Sequence, residues 1–300
     1  MSEVALLFIC LAAGWILRSS GVLGGEGTQN LSAWVINVAL PATAIVHIHK
    51  VEDYGVHWLV AAATPWLGVA LAWVIFSLMA RWLEWSRQTL GALVLVGGFG
   101  NTSFVGIPMV WAYFGREWTS LVLVIDIFGS YLALSTLGIA LASWHGAESV
   151  TLREVVKRIA FFPPFIAVVI ALILSDFSRP EWIDAVLTPI AETLTPIAMA
   201  AVGSALRFHT IPANWRQICL GLGHRLFVAP ALIVVFYLVI GSLGSGVATI
   251  TIFEAAMPPM LGASVIAIRF GLRPDLVAGM IGLGIPLSMV TLPVWAWALG

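Results

Sequence analysis

Three carboxylates stand where a carboxylate is costly. Asp126, Glu192 and Glu254 each lie well inside a long apolar run, and a charge at the centre of a bilayer costs about 2.5–3.5 kcal/mol on insertion scales. An acid kept there against that cost either binds a cation or proton, or hydrogen-bonds another helix. Glu254 precedes Pro258-Pro259 by one helical turn, so it should face whatever cavity those prolines open, and it leads the candidates for ion coupling. Asp126 has Ser130 one turn later on the same face, which offers a second pair of oxygen ligands. For Glu192 an interhelical hydrogen bond is the expected role. A sodium ion, if one binds, is expected at Glu254, Asp126 and Asn101.

Two stretches oppose helix formation more than any others. One runs Gly97-Gly98-Phe99-Gly100-Asn101-Thr102-Ser103-Phe104-Val105-Gly106-Ile107-Pro108, the other Glu254-Ala255-Ala256-Met257-Pro258-Pro259-Met260-Leu261-Gly262. In a helix interior Gly costs roughly 1 kcal/mol and Pro about 3, and proline also lacks the backbone N–H. Both segments are therefore expected to unwind. Lipid cannot satisfy the groups so freed, and such breaks persist only where protein or water surrounds them. There they act as binding equipment, helix N-termini for anions and freed carbonyls for cations. Asn101, Thr102, Ser103, Pro108, Pro258 and Pro259 are accordingly the candidates for holding a small anion. Asn37, one turn before Pro41, either lines the same pathway or caps a kink.

Other constellations carry less. His47, His49 and His57 surround Glu52 and Asp53, but as interfacial loop residues they read as solvated, and no metal site is expected. There is no HExxH, GxxxxGK[ST], CxxC or GxSxG motif, so the chain is not expected to be an enzyme or to drive its work by its own ATP hydrolysis. No cofactor is implied beyond Na+ or H+ as a coupling ion.

These residues are positioned by an all-α integral membrane protein. The chain is 60% hydrophobic and 10% charged, against about 45–50% and about 25% in soluble domains. Its apolar residues come in blocks long enough to cross a bilayer. Cutting at polar and charged turns gives ten transmembrane helices near 3–18, 29–48, 57–80, 89–112, 118–142, 153–174, 182–206, 215–240, 247–268 and 275–299. The first reads as a mature helix rather than a signal peptide, having no basic residue before its apolar run.

Alternating the loops puts eleven basic residues, among them Arg18, Arg81, Arg153, Arg225 and Arg273, on one side and only Lys50, Arg116 and Arg179 on the other. By the positive-inside rule both termini are extracytoplasmic, loop 143–152 is cytoplasmic, and the location is the cell membrane. Trp58, Trp82, Trp144, Trp182 and Trp215 fall at span ends, where the lipid interface accommodates an indole. Cys10 and Cys219 lie in or beside apolar spans and imply neither disulfide nor metal. The charge of -1, with basic residues grouped only beside spans, gives no nucleic-acid partner.

The two halves resemble each other. Leu40-Pro41 precedes Thr195-Pro196 by 155 residues and Phe114-Gly115 precedes Phe270-Gly271 by 156. Residues 1–146 and 147–300 thus read as two five-helix repeats, and an odd span number inverts the second copy in the membrane.

The segment Asn101-Thr102-Ser103-Phe104-Val105-Gly106-Ile107-Pro108 resembles the break in the fourth helix of the auxin efflux carrier family. Ala255-Ala256-Met257-Pro258, followed by Phe270-Gly271 and the span with Pro286 and Pro293, is similar to that family's ninth and tenth helices. The resemblance implies two inverted repeats whose helices 4 and 9 cross at their unwound points, a fold shared with bile acid sodium symporters. It implies a scaffold of helices 1, 2, 6 and 7, through which a homodimer is an expected partner, and a mobile core of helices 3–5 and 8–10. It implies a secondary active transporter, elevator-like, for a small organic anion such as an auxin-like or malate-like or malonate-like carboxylate. Glu254-x-x-Met257 also looks like the acidic sodium-site segment of the symporters, with Pro258 in place of a polar residue. About eight residues join the halves, so regulation through a long central loop is not expected. A ligand sensor built on a transporter fold without net flux is the alternative, disfavoured by the lack of a signalling domain.

Overall fold

The computed structural model describes residues 2–24, 26–48, 55–146, 150–175, 180–206 and 214–300. Among them every regular element is helical, and the one β-type pairing is an isolated bridge between Gly100 and Pro259. Six helices are long and apolar enough to cross a membrane: Gly27–Ile48, Val56–Trp82, Arg116–His145, Glu181–Ala205, Trp215–Val239 and Pro274–Leu299. Leu152–Ala160 and Pro163–Ile173, bent by 57° at Phe161-Phe162, make a seventh if they form one span. Val4–Ser19 and Gly246–Ala255 are shorter apolar helices. His49, Lys50, Glu52, Asp53, Arg179 and Arg207 lie outside the described residues.

The chain divides into two compact units, each drawing on both halves of the sequence. One comprises residues 1–56, 103–123 and 156–206. In it the Ser2–Ser19 helix packs on Leu194–Ala205 at backbone distance. A Cβ on Gly14 would lie 2.0 Å from the Ala200 carbonyl oxygen, and one on Gly203 2.0 Å from that of Leu11. Small residues at both positions are what permits this approach, the usual solution where lipid supplies no hydrophobic drive between helices. Ser204 seals the seam by donating to Thr28 Oγ1 at 2.9 Å.

The other unit comprises residues 57–102, 124–155 and 207–300 and contains both broken segments' inner ends. Ser86 caps the Arg87–Gly98 helix by accepting from Thr89 N, and Ser245 caps Gly246–Ala255 by accepting from Ala248 N, both at 3.2 Å. Each helix then stops short: Phe99 is extended after Gly98, and Leu261–Arg269 begins only after Met260. The continuing pieces end alike, Ile107–Tyr113 at Phe114-Gly115 with Gly115 φ 99° and Leu261–Arg269 at Phe270-Gly271 with Gly271 φ 72°. That left-handed geometry is why glycine follows phenylalanine at both ends.

Within this unit Ile125–Tyr131, Leu134–Gly138 and His224–Val228 are π turns. A π turn inserts a residue into the helix ladder and disturbs its carbonyl pairing. In the second unit, tryptophans supply the missing donors. Trp66 Nε1 donates to Phe128 O at 3.1 Å, and Trp295 Nε1 to Leu226 O at 2.9 Å.

Candidate functional site

Both broken helices meet in the second unit. Asn101 N donates to Pro258 O at 2.8 Å and Met260 N to Phe99 O at 3.1 Å, which makes the short antiparallel pairing around Gly100 and Pro259. The prolines explain this geometry: Pro258 and Pro259 bring no N–H of their own, so the pairing must use their carbonyls and the amide of Met260.

The carbonyls left over at the two helix ends are taken by one side chain. Arg225 donates from Nε to Met257 O at 2.9 Å, from Nη1 to Gly98 O at 2.8 Å, and from Nη2 to Ala255 O. The residue is 4% exposed. Its neighbour His224 directs Nδ1 at Gly97 O, 3.2 Å away. Arg87–Gly98 and Gly246–Ala255 thus both present their C-terminal, partially negative ends to a guanidinium, the charge that suits them. The planar fork of arginine holds three carbonyls in a fixed geometry. Gly100 is required for the fit, since a Cβ there would lie 2.8 Å from Arg225 Nη2.

Beside the crossing lies a cavity of about 30 Å³, whose polar lining consists of Thr64, Thr102, Ser130, Arg225, Thr251 and Glu254. That is room for about two water molecules or an ion, since one water needs roughly 10–15 Å³. Glu254 is 1% exposed, and among the described residues neither carboxylate oxygen has a hydrogen-bond partner. Asp126, also buried, accepts from Thr102 Oγ1 at 2.5 Å. Tyr237 donates to Thr251 Oγ1 at 3.2 Å and fixes the far wall.

A family pattern described as "membrane transport protein" matches residues 1–296. The chain belongs to the auxin efflux carrier family of membrane transport proteins. This membrane transport protein is 28% identical over 295 residues to an uncharacterized transporter of Methanothermobacter thermautotrophicus, covering 98% of this chain and 96% of that one. A second uncharacterized transporter, from Methanocaldococcus jannaschii, is 23% identical over 309 residues, covering 100% and 98%.

Within the transporter, Thr102, Ser130 and Glu254 share the cavity wall, with Asp126 reached through Thr102 and with Asn101, Pro258 and Pro259 at the crossing. Ser103 and Pro108 belong to the other compact unit. There Pro108 lines a separate cavity of about 50 Å³ with Trp111, Arg116, Glu192 and Thr195. Asn37 is exposed and its amide turns back to Ala33 O at 2.8 Å, a local bond within its own helix. Among the described residues Glu192 forms no interhelical hydrogen bond of the kind expected; it makes a half-exposed ion pair with Arg116 at 3.6 Å. Among the described residues no group of His, Cys, Asp and Glu could hold a metal ion, and Cys10 and Cys219 are free thiols.

Two expectations are corrected. Arg225 is no loop residue: it lies inside the Trp215–Val239 helix, buried, and leaving it out reduces the eleven basic residues on its side to ten against three. The backbone at the breaks is also not bare. The carbonyls of Gly97, Gly98, Phe99, Ala255, Met257 and Pro258 all have donors within the protein. Arg225 figures in both corrections, satisfying three of these carbonyls, and nothing in its flanking sequence distinguishes it except its place ten residues into an apolar span.

Proposed function

We propose that the protein is a secondary active transporter that moves a small organic anion across the cytoplasmic membrane by alternating access, through an elevator-type displacement. In this reading ten transmembrane helices form two inverted five-helix repeats, 1–146 and 147–300. Helices 1, 2, 6 and 7 are the scaffold, and helices 3–5 and 8–10 carry the site. The matched Ser caps and Phe-Gly stops of the two broken helices support the repeat. Both termini face outward and loop 143–152 inward.

One observation carries the reading: Glu254, buried on the cavity wall with both oxygens lacking a donor. An ionised carboxylate so placed is unstable until a cation or proton joins it, and uptake of that ion is what would be coupled to anion movement. Asp126 and Ser130 supply further oxygens, and Asn101 and Thr102 flank the place where the carboxylate substrate binds. A cavity of about 30 Å³ takes an ion or about two waters, so the substrate enters in a wider state of the cycle.

The test is uptake of radiolabelled mono- and dicarboxylates into proteoliposomes, with sodium and proton gradients imposed separately. Glu254→Gln is expected to abolish gradient-dependent accumulation while leaving expression intact. Gradient-driven uptake at the wild-type rate in the variant would remove Glu254 from the mechanism, and binding without accumulation in the wild type would make the protein a sensor.

A further inference from the structure

The Leu152–Ala160 helix carries a surface of its own. It opens on a capping box, in which Thr151 N and Oγ1 donate to Glu154 Oε2 at 2.8 and 2.9 Å and Glu154 N donates to Thr151 Oγ1 at 3.3 Å. Its nine residues are too few for a helix to persist in water by propensity, and none of them is buried. The helix therefore gains its stability from whatever covers its apolar side. At about 100° per residue, Leu152, Val155, Val156 and Ile159 form one narrow stripe. Arg153 and Arg158 flank that stripe, one on each side, and Lys157 and Glu154 lie farthest from it. Leu152 is 78% exposed, and Phe161, just past the helix, 71%. Arg153 and Lys157 are exposed as well, and among the described residues neither makes an ion pair.

The direction of the helix follows from its sequence. Pro163 drives Phe162 into extended backbone, with φ -77° and ψ 113°. The chain leaves at 57° into Pro163–Ile173, an apolar helix that turns Ile166, Ile170 and Ile173 outward. Nine residues rise about 13 Å, so at that angle they advance only about 7 Å along the axis of the apolar helix. One interfacial layer of a bilayer is about 5–7 Å deep. Four charged residues in nine exclude this piece from the hydrocarbon itself.

We propose that the Leu152–Ala160 helix is a seat for anionic phospholipid: its apolar stripe lies at the acyl boundary of the leaflet while Arg153 and Lys157 hold headgroup phosphates. Its stripe and flanking cations are those of helices that lie in a membrane interface. A negatively charged leaflet is the partner that three cations against one carboxylate complement, and that carboxylate is turned to the N-terminus of its own helix. The contact needs neither substrate nor coupling ion, so it is tested apart from transport.

The experiment uses the full chain with Cys10→Ala and Cys219→Ala, and a fluorophore attached through Val156→Cys. The protein is reconstituted in bilayers of phosphatidylglycerol and phosphatidylcholine, with bromine quenchers on the acyl chains of one lipid or the other. Both brominated lipids are expected to quench the label, and phosphatidylglycerol to do so more strongly at equal mole fraction. That preference should fall by up to about fivefold with Arg153→Gln or with Lys157→Gln and disappear in the double variant, while Arg153→Lys retains it. Equal quenching by the two lipids in the protein that keeps all its cations overturns the proposal. So does an unquenched label, whether water or a second copy of the chain covers the stripe. That comparison uses no charge substitution, so it decides even if a variant fails to fold. A preference that survives in a folded double variant overturns the assignment to Arg153 and Lys157.

Discussion

Gly100→Ala tests how rigidly the crossing is held. The backbone of Gly100 is not in the left-handed region, so alanine is compatible with its conformation. Such a substitution should stabilise by about 0.4–1 kcal/mol through the unfolded chain alone. The new methyl, however, would lie 2.8 Å from Arg225 Nη2 and 3.2 Å from Cζ. Arginine is a flexible side chain in general, but this one is pinned by three carbonyls and cannot retreat without losing at least one of those bonds. Overpacking of this kind costs about 1–3 kcal/mol, so the net expectation is destabilisation of about 1–2 kcal/mol. Gly68 supplies the control: it lines the same cavity from the interior of Val56–Trp82, and a Cβ there meets nothing within 4 Å. Gly68→Ala should stabilise by roughly 0.5–1 kcal/mol, the usual helix-interior gain. Thermal unfolding of both variants and the wild type side by side in one detergent reads the opposite signs. A Gly100→Ala protein as stable as the wild type would show that the guanidinium yields freely, and the clamp would lose its meaning.

Two further substitutions probe other parts of the same logic. Thr102→Val removes the 2.5 Å hydrogen bond to Asp126 while keeping the shape. Because bonds to charged groups contribute about 1.5–3 kcal/mol, the melting point should fall, and the cation-dependent part of the melting curve should change with it. Gly203→Ala in the first unit would set a methyl 2.0 Å from Leu11 O, against backbone that cannot move aside. It should destabilise by more than Gly100→Ala, which denaturation in the same detergent would check, and a neutral result would mean that the Ser2–Ser19 and Leu194–Ala205 helices are not in fixed contact.

Much of the site was legible because its signals are local. Glycine and proline break helices through their own backbones, so the segments ending at Gly98 and Ala255 could be located from residue type alone, and the Phe-Gly pairs that end the continuing pieces could be matched across the halves. A carboxylate in an apolar run is conspicuous for the same reason. What could not be read is how freed backbone groups are satisfied, because the donors come from distant sequence: Arg225 for Gly98, Ala255 and Met257, Trp66 for Phe128, Trp295 for Leu226. The π turns that aim Asp126 and Arg225 leave no mark either, since a single inserted residue alters neither composition nor periodicity enough to show. Arg225 was read as interfacial on its charge, although its position well inside a span already argued otherwise. Asn37 could be read from the sequence either as lining a pathway or as capping a kink, and in the structure its amide bonds the preceding turn.

The placement of Arg225 also bears on which ligand groups remain at the crossing. Two helix C-termini converging on one point create a region of negative partial charge, and in a broken-helix transporter such ends commonly receive the coupling cation. Here the protein fills that region with its own cation, so the carbonyl oxygens that would have ligated a free ion are already bound. Beside these bound carbonyls, Glu254 is the cavity-lining carboxylate with neither oxygen hydrogen-bonded among the described residues. In the proposed reading backbone and carboxylate have separate roles: the arginine clamps the crossing, and the glutamate takes the ion. Arg225→Lys should then mainly weaken the fold and Glu254→Gln should mainly remove ion dependence. Variants whose two effects could not be separated would mean that clamp and ion site are one device.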